Sequence, residues 1–508
     1  MVRLRSLTIV LALWLACSGV HAQDWQASLA HFEKTTTVKV LPNGLTLIVS
    51  ERPEAPVFSF YTLVDAGSVD DPQGASGIAH MFEHMAFKGT PEIGTTNYAA
   101  EKTALAQVET AYAAYDTESR RALGADPAKL ASLKKSFEDA VEKAQQYVIP
   151  NQFDEIVEQN GAVGVNASTG EDTTQYFWSM PSNRFELWAY LESSRIIQPV
   201  LREFYKERDV VQEERRMRTD SDPQGRLEEE FLHAAYIAHP YGRLPIGFES
   251  ELTHITATEA EAFHKKYYVP SNMVVVVVGD LKASEAMPIM ERYFGKIPAG
   301  PKPESMTTVE PVQHAERSVV LHEQAQPFYM EGYHRPNYLS PDDNVYDAIA
   351  AILSDGRTGR LYRALVRDQG IAARAGADSD YPSVKYPPLF YLDATPLPGH
   401  TDDEVRDAIH KQLDRLKTED VTDAELEAFK TQTRASVLSG LANNAGLASA
   451  LAFYQTRNGD WRFLFHQLEK VDAVTKADIR RVANALFLDT NRTSARIETT
   501  TATMGAAK

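Results

Sequence analysis

Thr256-Ala257-Thr258-Glu259-Ala260-Glu261-Ala262-Phe263-His264-Lys265-Lys266-Tyr267-Tyr268-Val269-Pro270-Ser271-Asn272 runs straight into Met273-Val274-Val275-Val276-Val277-Val278, and Gly279-Asp280 ends the run. The first part reads as a helix opened by Thr256. The apolar run that follows is of strand length and bounded by turn residues, so a fully buried strand is expected. Val474-Thr475 opens a second helix, which ends in Phe487-Leu488-Asp489-Thr490-Asn491. In both copies the threonine precedes the asparagine by 16 positions, and the offset between copies is 219 (475 − 256). The order of elements around the two segments also runs in parallel, so the chain reads as an internal duplication. The expected fold is α+β: two domains of similar plan, each an antiparallel-rich sheet with helices on one face, joined by a linker in a clamshell-type assembly.

Outward from that stretch, Thr37–Leu41 and Leu45–Val49 flank Pro42-Asn43-Gly44 and predict a hairpin, followed by a strand over Phe58–Val64. From Tyr98 to about Val148 the composition turns to Ala, Glu, Lys and Gln with helical periodicity, broken at Gly124-Ala125-Asp126-Pro127; this is a helical hairpin inserted at about 98–150. Strands are expected at Gly164–Ala167 and Thr174–Trp178, and helices over Arg184–Ile197 and from Pro199 through Arg216. Pro298, Gly300, Pro301, Pro303 and Pro311 mark a linker over 295–311. Strands then resume at Ser318–Leu321 and Phe328–Tyr333, with a helix at Asp343–Leu353 and a strand at Leu389–Ala394; long amphipathic helices are expected to fill the remainder. The expected division is 23–294 for the first domain, 312–500 for the second, which lacks a metal site, and a disordered tail at 501–508.

A chain of 508 residues, 43% hydrophobic and 24% charged, has enough apolar surface for large cores and is not of disordered or fibrous composition. Residues 1–22 have the pattern of a secretory signal: Arg3 and Arg5, an apolar run from Leu7 to Ala16, then Val20-His21-Ala22. The run is short for a membrane span and no later stretch approaches that length, so a soluble, periplasmic protein is expected. The single cysteine, Cys17, lies in this segment. Lipid anchoring there is disfavoured by its lead-in Trp14-Leu15-Ala16, and the mature chain then has no disulfide. The formal net charge of −18 becomes −20 once Arg3 and Arg5 are removed, which argues against nucleic acid or an anionic membrane as partner.

The chemistry is concentrated in Gly77-Ile78-Ala79-His80-Met81-Phe82-Glu83-His84-Met85-Ala86-Phe87-Lys88-Gly89-Thr90. A helix from about Ser76 to Phe87 is expected, stopped by Gly89, Thr90 and Pro91. His80 and His84 are four apart and share a face, with Glu83 beside them. Two imidazoles at this spacing suit Zn²⁺, and a neighbouring carboxylate can act as proton acceptor. A core helix with two satisfied histidines is the plain alternative, but the His-x-x-Glu-His order favours metal chemistry. A third ligand is still needed. Glu207 and Glu214, seven apart, share a helix face, whereas Glu213 points about 100° away; glutamates on an acidic helix are commonly just a solvated surface.

His80-Met81-Phe82-Glu83-His84 with Ala86–Thr90, Asn166-Ala167-Ser168-Thr169 with Thr174 and Tyr176, Glu207–Glu214, and His239-Pro240-Tyr241-Gly242 with Ile246-Gly247 recur in an order that resembles the pitrilysin family of zinc peptidases. That family includes insulin-degrading enzyme and the mitochondrial processing peptidases. The resemblance implies one Zn²⁺ per chain held by His80, His84 and Glu214, with Glu83 as general base and Glu207 supporting the site. It further implies that an edge strand at Gly164, Val165, Asn166, Ala167 and Ser168 takes peptide substrate by strand addition. Zn²⁺ would lower the pKa of its water, Glu83 would accept the proton, and the hydroxide would attack the scissile carbonyl.

Two features depart from the family. His84 and Glu214 are 130 residues apart (214 − 84), longer than the family's usual separation by about the size of the Tyr98–Val148 hairpin. The family's arginine–tyrosine pair, which stabilises the oxyanion, aligns with Val366 and Ala373; Arg367 and Arg374 are one step off, without a phenol. The expectation is therefore the zinc-bearing subunit of a two-chain member, whose partner of the same fold carries the Arg/Tyr pair. An inert structural or assembly subunit, or a dedicated processing protease, are the alternatives.

Overall fold

The computed structural model describes residues 29–121 and 123–500; the expected signal segment, Cys17 and the expected 501–508 tail lie outside the described residues. Two sheets organise it. The first has the order β1-β2-β6-β3-β5-β4, with β1 Thr36–Val40, β2 Thr46–Glu51, β3 Val57–Val64, β4 Val163–Thr169, β5 Thr174–Pro181 and β6 Met273–Gly279. The second has the order β7-β11-β8-β10-β9, with β7 Arg317–Glu323, β8 Phe328–His334, β9 Ala372–Tyr381, β10 Leu389–Pro396 and β11 Arg492–Thr499. In each sheet one neighbouring pair is parallel, β2 with β6 and β7 with β11, and the rest are antiparallel.

The 219-residue offset holds down to single hydrogen bonds. Thr256 caps helix Ala257–Tyr267 and Thr475 caps helix Lys476–Leu486, each through a capping box. The Asn272 amide donates to Tyr267 O and the Asn491 amide to Leu486 O, 219 residues on; each also donates to a carbonyl at the sheet, Asp65 O and His334 O respectively. Each asparagine thus pins a tight turn between its helix and the central strand that follows. The Met273–Gly279 strand is buried along its whole length.

The stretch read as amphipathic helix to the C-terminal end of the chain instead finishes in strand β11, and β9 was not anticipated. Both lack strong apolar alternation: β9 is a sheet edge of small and acidic residues, and β11 buries Thr493 and Ser494 beside Ala495 and Ile497. Their strand state is imposed by pairing with neighbours, which outweighs local propensity.

For the helices that follow, α1 is Ile78–Met85, α2 Tyr98–Ser119, α3 Pro127–Gln145, α4 Phe204–Arg215, α5 Pro223–Ala235 and α6 Asn444–Asn458. Each half lays its own helices on one face of its sheet. The opposite face takes a helix from the other half. Leu447, Leu451 and Ala452 of α6 pack on Ile48, Leu63, Val274 and Val276 of the first sheet. Leu227, Phe231 and Leu232 of α5 pack on Phe328, Met330, Ala495 and Ile497 of the second. Shifted by 219, α5 falls on 442–454 and so overlaps α6: the exchange is reciprocal.

From Pro298 to Glu316 the chain has no helix or strand, and Glu310 within it accepts the backbone N–H groups of Ile237, Ala238 and His239. The α2–α3 hairpin packs on the back of α4, where the Tyr112 hydroxyl accepts from Arg208 and donates to Thr253 O. Buried Arg202 pairs with Glu101 of α2 and also donates to the carbonyls of Lys88, Thr90 and Ile93, so the hairpin is tied to the turn that ends α1.

Candidate active site

Helix α1 starts without a capping side chain of its own, because Gly77 occupies the N-cap at φ +89°. Asp71 substitutes: one carboxylate oxygen accepts from Gly77 N and the other from Ala79 N. The two orphan donors favour the carboxylate, but burial outweighs them and pushes Asp71 up to about 8. Across from it, Gly247 at φ +78° lies so close to Ser76 that an added Cβ would stand 2.3 Å from Ser76 O. The Ile246-Gly247 motif is therefore a packing device that seats the histidine helix.

The helix holds His80 and His84 with their rings 4.8 Å apart and edge to face. Helix α4 brings in Glu214, 130 positions further along the chain than His84. Its Oε2 is 3.9 Å from His80 Nε2 and 3.6 Å from His84 Nε2. One donor atom from each of the three residues falls within 4.8 Å of the others, and among the described residues this is the single such group able to hold a metal. Two imidazole nitrogens and one carboxylate oxygen are ordinary zinc ligands, and three of them leave a position open. The residues fit the ion.

Glu207 lies one layer out. Its Oε1 is 3.0 Å from His84 Nδ1 and its Oε2 meets Lys88 Nζ. This carboxylate fixes the imidazole with Nε2 toward Glu214, the arrangement expected of a metal-binding histidine. Glu214 is treated similarly, since its Oε1 takes the Arg218 guanidinium at 2.8 Å. Arg218 lies in a widened helical turn, Arg216–Asp220, that continues α4.

These contacts set the proton inventory of the metal-free chain. Burial and the neighbouring His84 push His80 down to about 4, so it is neutral. Burial works to lower His84 as well, but its hydrogen bonds to Glu207 and Glu214 outweigh burial and hold it up at about 9. Burial would raise Glu207, yet His84 and Lys88 hold it at about 2. The Glu83 carboxyl is raised by burial, against hydrogen bonds from the side chain and backbone of Thr169. Thr169 ends β4, so the end of the candidate substrate strand lies beside the candidate base.

β4 is the outer strand of its sheet, and among the described residues its far edge is unpaired. Gly164 takes φ +66° beside a register shift, Asn166 and Ser168 are exposed, and Val165 and Ala167 are half-buried. A groove of about 900 Å³ runs between this strand and α4, with His80, Glu83 and His84 on its floor. His80, Glu83, His84, Glu214 and Asn166–Ser168 are thus brought to one groove, while Gly164 and Val165 lie further along the same strand and outside its lining. Asp71, Lys88, Thr169 and Arg218 also act there and were not identified as site residues. Lys88 and Arg218 pair with carboxylates not yet fixed as ligands, and Asp71 reaches backbone N–H groups across a turn, so local patterning gives little sign of them. Arg367 pairs with its neighbour Asp368 and Arg374 with Asp393, outside the histidine cluster.

The insulinase (peptidase family M16) model matches residues 47–119, in the first half, and the peptidase M16 inactive-domain model matches 254–433, from the end of the first half into the second. The chain belongs to the M16 peptidase family. The zinc protease PqqE of Helicobacter pylori is 29% identical to this M16 chain over 504 residues, 97% of each protein. The crystal structure of a protease from Helicobacter pylori superposes with a TM-score of 0.75 at 27% identity, covering 91% of this M16 chain and 99% of that one. The periplasmic protease PqqL of Escherichia coli shares the fold at 17% identity and a TM-score of 0.66; the match covers 92% of this M16 chain but 48% of PqqL. The homologues support a metallopeptidase of the M16 type.

Proposed function

We propose that the chain is a zinc-dependent endopeptidase of the periplasm that cleaves peptides or unfolded segments and works with a second subunit of its own fold. The observation that carries this is the convergence of His80, His84 and Glu214 with Glu83 at the foot of an unpaired sheet edge. Bound there, zinc supplies a Lewis acid that polarises the scissile carbonyl and makes water nucleophilic near neutral pH.

The chain's own residues do the rest. The unpaired N–H and C=O groups of Gly164–Ser168 accept the substrate as an added strand, an interaction of low sequence selectivity. Glu83 takes the proton of the attacking water and returns it to the leaving amine. Its burial-raised pKa suits both transfers. The oxyanion needs a further donor. Val366 and Ala373 stand where the family has its arginine and tyrosine, so that donor is assigned to the partner. PqqL, a chain about twice the length of this fold, supports a two-part assembly.

The test is isolation from the native host followed by native mass spectrometry, zinc analysis and digestion of an unfolded protein. One zinc per chain, a second chain of similar size and metal-dependent cleavage are expected. A zinc-free chain without cleavage activity would overturn the reading.

A further inference from the structure

We infer that the inserted α2–α3 hairpin builds a second binding site behind α4, and that this site takes a carboxylic acid with a single apolar chain, of the medium-chain fatty acid type.

Beyond packing on α4, the hairpin encloses space. A cavity of about 450 Å³ lies between its two helices, the segment that precedes α4 and the first turn of α4. Small-ligand sites commonly measure about 300–1,000 Å³. Leu105 and Val108 of α2, Val141 and Ala144 of α3, and Val200 and Phe204 supply apolar walls. Val108, Ala144, Val200 and Phe204 are each 5% exposed or less, so the cavity reaches core side chains and is not a dent in the surface. Tyr205 completes the wall on the α4 side. Glu214 follows Tyr205 by nine positions (214 − 205), which at about 100° per residue puts the two on opposite sides of the helix. The cavity therefore backs onto the helix that carries the candidate metal ligand and shares none of its ligands.

The charged groups around this cavity are engaged, with one exception. Glu109 accepts the Tyr205 hydroxyl on one oxygen and the Thr258 N–H and hydroxyl on the other. Glu203 accepts from Gln145 and Lys206, and Glu261 pairs with Lys265. Lys102 is exposed, is in no ion pair among the described residues, and borders both this cavity and the cleft beside Pro298–Glu304. It stands at the mouth. An apolar interior with one uncommitted cation at its mouth complements a chain that buries its methylenes and leaves a carboxylate at the water boundary, where the charge costs no desolvation.

The whole chain, isolated from its host with any subunit it carries, is titrated calorimetrically with octanoate, decanoate and dodecanoate, each below its micellar concentration. Saturable binding of one molecule per chain is expected. Each buried methylene should tighten it about fourfold, so decanoate should bind about an order of magnitude more tightly than octanoate. Lys102→Gln should weaken decanoate about threefold, the scale of an exposed ion pair, and leave decanol unchanged. Ala144→Phe, which puts a ring into the cavity, should abolish binding; Val141→Phe, at a half-buried position, answers the same question if the first variant does not fold. Binding that does not saturate, that ignores chain length or that survives the filling variants overturns the inference. Loss of binding on treatment with a chelator also overturns it, because the carboxylate would then be held by a metal at the histidine site.

Discussion

Both carboxylates beside the histidines divide their oxygens in the same way. Glu207 gives one to His84 and one to Lys88, and Glu214 turns one toward the two imidazoles and one to Arg218. Each cation stands four residues after a candidate ligand, His84 or Glu214, and holds a carboxylate in place. Lys88→Met should therefore weaken zinc binding about tenfold, the usual scale for losing an outer partner, and should have no further effect in a Glu207→Gln background. Competition with a chromophoric chelator measures this; equal losses in both backgrounds would show that Lys88 acts by another route. The same assay separates ligand from base: Glu214→Gln should lose metal affinity, whereas Glu83→Gln should keep zinc and lose turnover. The proton on His84 gives a pH dependence. With its pKa raised to about 9 by Glu207 and Glu214, His84 is charged at neutral pH in the metal-free chain and must give up that proton to a metal. Zinc affinity should therefore rise about tenfold per pH unit up to about pH 9. Titration calorimetry in two buffers at pH 7.5 should find about one proton released, and none would mean that His84 was already neutral. For the metal-free fold the sign is opposite: the stabilisation from this raised pKa is complete below His84's ordinary value of 6.5 and is lost as pH rises through about 9. The His80–Glu83–His84 triplet was legible because a helix's period puts its members together, whereas Glu214 needed the family pattern to separate it from Glu207 and Glu213.

At the scale of elements, the site depends on how α1 is seated. Eight residues make a helix too short to persist alone, so Asp71 at its start and the close approach of Gly247 to Ser76 carry its placement. Gly247→Ala should destabilise the protein by more than the roughly 1–2 kcal/mol of a left-handed residue, because the new methyl also meets Ser76 O. Thermal unfolding with zinc analysis checks this: stability and metal content should fall together, and a fall in neither would mean that the loop yields easily. The hairpin of α2 and α3 was readable from composition and from its Gly124–Pro127 break, as was the buried run at Met273–Val278. β9 and β11 were not, since Arg374, Asp378 and Asp380 in one and Arg492, Arg496 and Glu498 in the other carry no period-two apolar signal. Those strands exist because neighbouring strands present unpaired backbone to them, which is information held elsewhere in the chain.

At the scale of the molecule, the duplication was legible from Thr256, Asn272 and their copies, but the exchange of α5 and α6 was not, because a helix face does not state which sheet it covers. That exchange decides how the molecule can move. Each sheet's second face is closed by the other half, and buried Asp172 of the first half accepts from Ser383, Val384, Lys385 and Arg457 of the second. Cutting the chain within Pro298–Glu316 by an engineered protease site should consequently leave both pieces in one particle on gel filtration; separate peaks would show that the linker, rather than the exchanged helices, holds the halves. With its halves locked, the chain cannot fold one over the other to complete the groove at β4. On the proposed reading, closure comes from a second body, and so does the oxyanion donor that Val366 and Ala373 cannot provide. Loss of such a donor costs about two to three orders of magnitude in rate. The rigorously purified chain, fully loaded with zinc, should bind peptide but cleave it at least a hundredfold more slowly than the complex from its host, and adding back the separated partner should restore the rate. Equal kcat/KM for the lone chain and the complex would mean that the donor is already present in this chain, and Arg218, which already reaches Glu214 from within the groove, is then the first residue to replace.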